Sequence, residues 1–106
     1  MADTIQSRRY AQAMFELARE QQQSDRWKAD LEAMAQVAGD TTILDVLENP
    51  AVSRQQKDDM LGRAAAGISP VVINLVKLLV SRGAVRLLQD IAGEYDKLLD
   101  ESRGIA

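Results

Sequence analysis

Apolar positions recur with the period of an α-helix along almost the whole chain, broken at intervals by capping residues, glycine and proline. The first segment is predicted from about Thr4 to Gln22. There Asp3 or Thr4 is placed to cap the first amides, and Tyr10, Ala13, Met14, Leu17 and Ala18 form one stripe. A second helix is expected to open on Ser24 as N-cap and bury Trp27, Leu31, Met34, Ala35 and Ala38 before Gly39. A short third helix, about Thr42 to Glu48, must stop near Asn49, because a residue before proline is pushed out of helical geometry and Pro50 follows. Ser53 with Gln56 three residues on is a capping-box pattern opening a fourth helix on Met60, Leu61 and Ala64, with Gly67 as its stop. Ser69-Pro70 reads as N-cap and first helical position of a fifth helix running to Gly83. A sixth is expected from about Ala84 to Glu101 on Leu88, Ile91, Ala92, Tyr95, Leu98 and Leu99. Six helices with short links and no strand predict an all-α fold, a single compact six-helix bundle.

Two of these helices are apolar over a wider arc than one core contact requires. With residues ~100° apart, Val71, Val72, Ile73, Leu75, Val76, Leu78, Leu79 and Val80 cover about 220° of the fifth helix, leaving Asn74, Lys77 and Ser81 as its polar strip. On the first helix Tyr10, Ala11, Ala13, Met14, Phe15, Leu17 and Ala18 cover about 200°. Two readings follow. Either both helices lie in the bundle interior, or together they form an apolar groove that a partner's amphipathic helix completes.

Composition narrows the chemistry. The 106 residues contain neither Cys nor His, which removes zinc and iron–sulfur sites, thiol nucleophiles and imidazole acid–base catalysis, and leaves no convergent catalytic set. No enzyme, cofactor or metal is expected. A formal net charge of −3 lacks the basic excess of a phosphate-backbone binder. The start of the chain does not read as a signal or transit peptide, and Val71–Val80 is about half the length of a membrane span. The domain is therefore expected to be soluble and not to insert in a membrane.

Individual candidates are mostly bland. Asp58 and Asp59 point about 100° apart and do not converge on a metal. Glu94, Asp96, Asp100 and Glu101 are expected on a solvated outer face of the last helix. Trp27 falls on a core stripe, and Gly62 and Gly67 lack the strand and Lys-Ser/Thr pair of a phosphate loop. Arg8 and Arg9 stand near the N-terminus of a helix, where cations oppose the macrodipole, and either meet an acidic partner or are simply solvated.

Four blocks, taken together, carry a family resemblance: Arg8-Arg9-Tyr10-Ala11-Gln12-Ala13-Met14-Phe15-Glu16-Leu17-Ala18, Asp25-Arg26-Trp27, Asn74-Leu75-Val76-Lys77-Leu78-Leu79-Val80-Ser81-Arg82-Gly83, and Ile91-Ala92-Gly93-Glu94-Tyr95. In order and spacing the chain resembles the N-terminal domain of the delta subunit of F-type ATP synthase, the oligomycin-sensitivity-conferring family. The resemblance implies residues 1–106 as the N-terminal helical domain of a two-domain subunit, cut near Gly104, with the C-terminal domain absent from this chain.

It also implies a non-catalytic peripheral-stalk role, on the cytoplasmic face of a bacterial plasma membrane as part of the complex. In the family the first and fifth helices receive the N-terminal amphipathic helix of one alpha subunit. Carried over by position, the groove residues are Tyr10, Ala13, Met14 and Leu17 with Asn74, Lys77, Leu78 and Ser81. Attachment to the b-type stalk subunits belongs to the C-terminal domain, and the isolated domain is expected to be monomeric. Two rival classes remain: a nucleic-acid-binding module of antitermination type, which requires a clustered basic face, and a homotypic six-helix adaptor, which requires self-association.

Overall fold

The computed structural model of the chain describes residues 2–104. Among them are six α-helices: α1 (Ala2–Glu20), α2 (Ser24–Gly39), α3 (Thr41–Glu48), α4 (Arg54–Ala64), α5 (Pro70–Ser81) and α6 (Leu88–Ser102), with a 3₁₀ turn at Val85–Leu87 and no strand. The all-α expectation holds.

Several boundaries move for local reasons. Helix α1 starts at Ala2, so Asp3 and Thr4 lie within its first turn and not ahead of it. Its far end closes in a Schellman turn, with Gln23 N–H donating to the Ala18 carbonyl at 2.8 Å and Gln22 N–H to Arg19 at 3.2 Å. That turn places Gln22 at φ +56°, a left-handed conformation that glycine adopts at no cost. It also brings the chain into α2 one residue early. Gln23 occupies the N-cap position without a side-chain cap, and Ser24 is the first helical residue. Asp40 caps α3, accepting from Thr42 N–H at 2.9 Å and Ile43 N–H at 3.2 Å. The capping box of Ser53 and Gln56 forms as expected, both bonds 3.1 Å long.

A second Schellman turn ends α5, with Ala84 N–H donating to Leu79 and Gly83 N–H to Val80, and Gly83 at φ +67°. The sixth helix therefore begins at Leu88 and not Ala84. The intervening 3₁₀ turn drives Val85 and Leu87 into the core.

The core is centred on α6, which packs along α1 on one side and α2 on the other. Leu88, Ile91 and Tyr95 of α6 are fully buried with Trp27, Leu31 and Met34 of α2. Tyr95 meets Phe15 edge to face, ring centroids 6.0 Å apart, and Arg19 lies over the Phe15 ring; such pairs add about 1 kcal/mol beyond their buried area. The Tyr95 hydroxyl donates to the Ser24 carbonyl at 2.7 Å, and burial pushes its pKa up to about 12.

The edges of α6 differ from the expected solvated face. Glu94 turns toward α1 and takes Arg8 at 3.6 Å and Lys97 at 3.5 Å. Asp96 turns toward α2, where Lys28 stands 3.4 Å away and is held above the ordinary lysine range by Asp96 and then Glu32. Asp100 is half-buried, and only Glu101 of the four is exposed. A helix flanked on both sides points its polar edges at neighbours.

Helix α5 sits at the side, on α4, α2 and the 3₁₀ turn. Its attachment uses Asp30, a buried carboxylate on α2. Asp30 Oδ2 accepts from Ser69 N–H at 2.9 Å, the Ser69 hydroxyl at 2.6 Å and Arg26 Nε at 3.3 Å. Ser69 thus spends its hydroxyl across the bundle and does not cap α5. Arg26 also donates to the Gly67 carbonyl at 2.7 Å, tying the α4–α5 link to α2.

Candidate functional site

The apolar excess of α1 and α5 is resolved unequally by the fold. On α1 the buried residues are Ser7, Ala11, Met14, Phe15 and Ala18. The core-facing stripe is thus rotated toward Ala11 and Phe15, away from the stripe predicted on Tyr10, Ala13 and Leu17. Tyr10 and Leu17 are half-buried and Ala13 is exposed, because α6 covers only one side of the arc. On α5, Val72, Leu75, Val76 and Leu79 are buried, whereas Val71, Ile73 and Val80 are half-buried. Leu78 is 38% exposed. Beside Ile5 it is the exposed large hydrophobic residue among those described, and it is not part of the core.

Helices α1 and α5 do not pack closely on each other. The end of α5 reaches α1 through Arg82, whose Nη1 donates to the Tyr10 hydroxyl at 3.1 Å. Beneath this bridge lies an open depression of about 440 Å³ lined by Gln6, Arg9, Tyr10, Ala13 and Arg82. On the other flank of α5 a smaller depression, about 210 Å³, is lined by Arg54, Lys57, Asp58, Lys77, Val80 and Ser81.

The eight residues singled out in the sequence therefore do not all face one space. Tyr10 and Ala13 line the α1 depression. Leu17 lies on the same face of α1, a turn further on, and Met14, 6% exposed, lies beneath them. Asn74 and Leu78 occupy the outer face of α5, with Asn74 exposed. Lys77 and Ser81 open on the α4 side, and the Ser81 hydroxyl is turned back onto the Leu78 carbonyl at 2.7 Å.

Sequence inspection did not assign to the groove Arg82, which helps form the α1 depression, or Arg54 and Lys57, which help form the other, and counted them only among the cations of a possible basic face. Arg82 stood in the recognised Ser81-Arg82-Gly83 block. Its position beside Tyr10, 72 residues away, is a tertiary fact that no local signal carries.

Several of the basic residues are matched by carboxylates of the chain. Arg8 pairs with Glu94 and Arg86 makes a two-pronged pair with Glu48, 2.7 and 2.9 Å. Among the described residues no cluster of carboxylates could hold a metal ion, and no helix is long and apolar enough to cross a membrane. What the described residues offer is surface: exposed Leu78 on the outer face of α5, half-buried Tyr10 on α1, and two shallow depressions lined in part by cations.

Comparison with known proteins gives the family. The family model of the ATP synthase delta (OSCP) subunit matches residues 7–106. The ATP synthase subunit delta of Dehalococcoides mccartyi is 36% identical over 97 residues, covering 92% of this chain and 53% of the relative. Those of Anoxybacillus flavithermus and Shouchella clausii are 35% and 38% identical over the whole of this chain and 60% of theirs. The chain spans little more than half the length of the curated relatives it matches.

Proposed function

This chain belongs to the ATP synthase delta (OSCP) subunit family, and from that premise we propose that it acts without catalysis, in the peripheral stalk of an F-type ATP synthase. In this reading it receives the N-terminal amphipathic helix of an alpha subunit between α1 and α5. The observation that carries the reading is the outer face of α5: the fold buries or half-buries the rest of an apolar arc of about 220° and leaves Leu78 at its edge 38% exposed. A second helix laid there would complete the bundle.

The parts have distinct physical roles. Leu78 and the ring of Tyr10 supply apolar area, Ala13 permits close approach, and Met14 forms a floor beneath them. Leu17 extends the strip along α1. Asn74, Lys77 and Ser81 border it, where polar groups set register more than affinity. A stator must resist torque without dissociating, so a helix seated on apolar surface suits the task better than exposed ion pairs, worth only about 0–1 kcal/mol each. The attachment to b-type stalk subunits is assigned to the family's C-terminal domain, and association with the membrane to the assembled complex.

Titration of a synthetic alpha N-terminal peptide into the ¹⁵N-labelled protein is expected to shift resonances of α1 and α5 and to leave the solvent face of α2 unchanged. Shifts confined to other helices would refute the assignment. Leu78→Asp places a carboxylate in the strip and is expected to weaken peptide binding by about 2–4 kcal/mol with the fold retained. Unchanged affinity in a folded variant would remove Leu78 from the interface.

A further inference from the structure

Among the described residues six cations are paired with carboxylates, whereas those around α5, like Arg19 and Arg63, are not. Arg26, Lys28, Arg86, Lys97 and Arg103 each stand within 4.0 Å of a carboxylate, as does Arg8, and all lie around α2, α3 and α6 or their edges. Among the described residues, the five that line the two depressions beside α5 find no such partner. Arg9 and Arg82 border the α1 depression with no carboxylate in its lining. On the α4 side Arg54, Lys57 and Lys77 stand against Asp58 alone. This concentration of positive charge occurs on a chain whose formal net charge is −3. On the outer face of α5, Leu78 is exposed beside the helix positions of these cations.

We infer that the helix received over α5 carries carboxylates along both flanks of its apolar stripe, one flank facing Arg9 and Arg82 and the other facing Arg54, Lys57 and Lys77. A helix is about 10–12 Å across with its side chains, so one seated on Leu78 presents a polar edge to each flank of α5. Charge on both sides fixes the direction and register of the incoming helix and speeds its capture, while the apolar contact on Leu78 holds it. The inference rests on the docking reading above and adds the chemistry of the partner. A nucleic acid would also meet the cations, but exposed Leu78 is apolar and the chain as a whole is acidic, so an acidic amphipathic helix fits better.

The test uses a fluorescently labelled alpha N-terminal peptide and the same peptide with its Glu and Asp changed to Gln and Asn. Arg9→Glu and Lys57→Glu alter residues without an ion-pair partner among those described, and Arg63→Glu reverses the same charge on an exposed position of α4 outside both linings. The expected result is a loss of affinity of roughly three- to tenfold for each of Arg9→Glu and Lys57→Glu, little change for Arg63→Glu, and a weaker response to all three with the amidated peptide. Binding of the acidic peptide should also weaken as NaCl rises from roughly 50 to 500 mM. If Arg9→Glu and Lys57→Glu behave like Arg63→Glu while Leu78→Asp abolishes binding, the charged flanks are overturned and the docking reading stands. If no variant or wild-type protein binds the peptide, both fall. Displacement of the peptide by a single-stranded RNA oligonucleotide would overturn the inference in favour of a nucleic-acid surface.

Discussion

Helix α5 carries eight Leu, Val and Ile residues in twelve and α6 only four in fifteen, yet the fold centres its core on α6. Helix α6 lies between α1 and α2, buries Leu88, Ile91, Ala92, Tyr95 and Leu99, and ties both polar edges to its neighbours through Glu94 and Asp96. Helix α5 is the more apolar around its circumference, and packs on α4, α2 and the 3₁₀ turn. Its outer face keeps Leu78 exposed, and the cations beside it stand in no ion pair among the described residues, with Asp58 the one carboxylate in the two linings. A wide apolar arc thus does not by itself mark the centre of a bundle. An arc left partly uncovered beside unpaired cations is the feature on which the proposed docking rests.

That contrast can be broken most directly by truncating one residue on each helix. Ile91→Ala removes a fully buried side chain and is expected to cost about 2–5 kcal/mol. Leu78→Ala should cost less than about 1 kcal/mol. Urea denaturation of both variants measures the difference, and equal losses would show that α5 is as much core as α6.

The junction between the two regions is next. Asp30→Ala strips two hydrogen bonds from the α2–α5 connection and a third within α2, and leaves Ser69 N–H without its acceptor, an expected loss of about 2–3 kcal/mol. Asp30→Asn, which keeps an acceptor, should lose less. Hydrogen exchange should show the loss concentrated in the first turn of α5, and protection lost first from α6 would contradict the division.

A pH effect sharpens the α6 side. With its folded pKa raised from 10.0 to about 12, Tyr95 binds its proton more tightly in the folded chain than in the unfolded one. Its contribution is therefore fully present below pH 10 and lost as pH rises toward 12, by up to about 2–3 kcal/mol. Tyr95→Phe costs about 1 kcal/mol at neutral pH for the lost bond to Ser24 and should flatten the alkaline decline. An unaltered decline in that variant would assign it to other groups.

The smallest expected effect is a gain. Gln22→Gly relieves the left-handed position in the α1–α2 turn and should raise stability by about 0.5–1 kcal/mol, seen as a shift in Tm without loss of peptide binding. A loss would mean that the Gln22 side chain contributes more than its backbone costs.

Much of this architecture was legible. Ser53 and Gln56 formed the predicted box, Pro70 opened α5, Gly83 closed it, and Trp27 went to the core, because each acts within a few residues of itself. The failures have one cause. Ser69 was read as a cap and instead bonds Asp30, 39 residues away. Ser24 lost the N-cap position to a turn set by Ala18 and Arg19. Glu94 and Asp96 were read as solvated, although packed helices lie beside them. Half of the site was legible too, since Tyr10 and Leu78 followed from the wheel and the family blocks. Arg82 and Lys57 were not, since their importance depends on what stands opposite.

Periodicity, caps and breakers, acting over one or two turns, by themselves determined that this chain is helical, roughly where each helix begins and ends, and which two helices are too apolar for their exposure. The family resemblance was equally a property of the residues. Only the tertiary structure decided which side of each apolar arc is covered, which charges are matched, and that α5 and not α6 is left open. Those outcomes depend on distances between residues far apart in the chain, and a helical wheel carries no information about what lies beyond its rim.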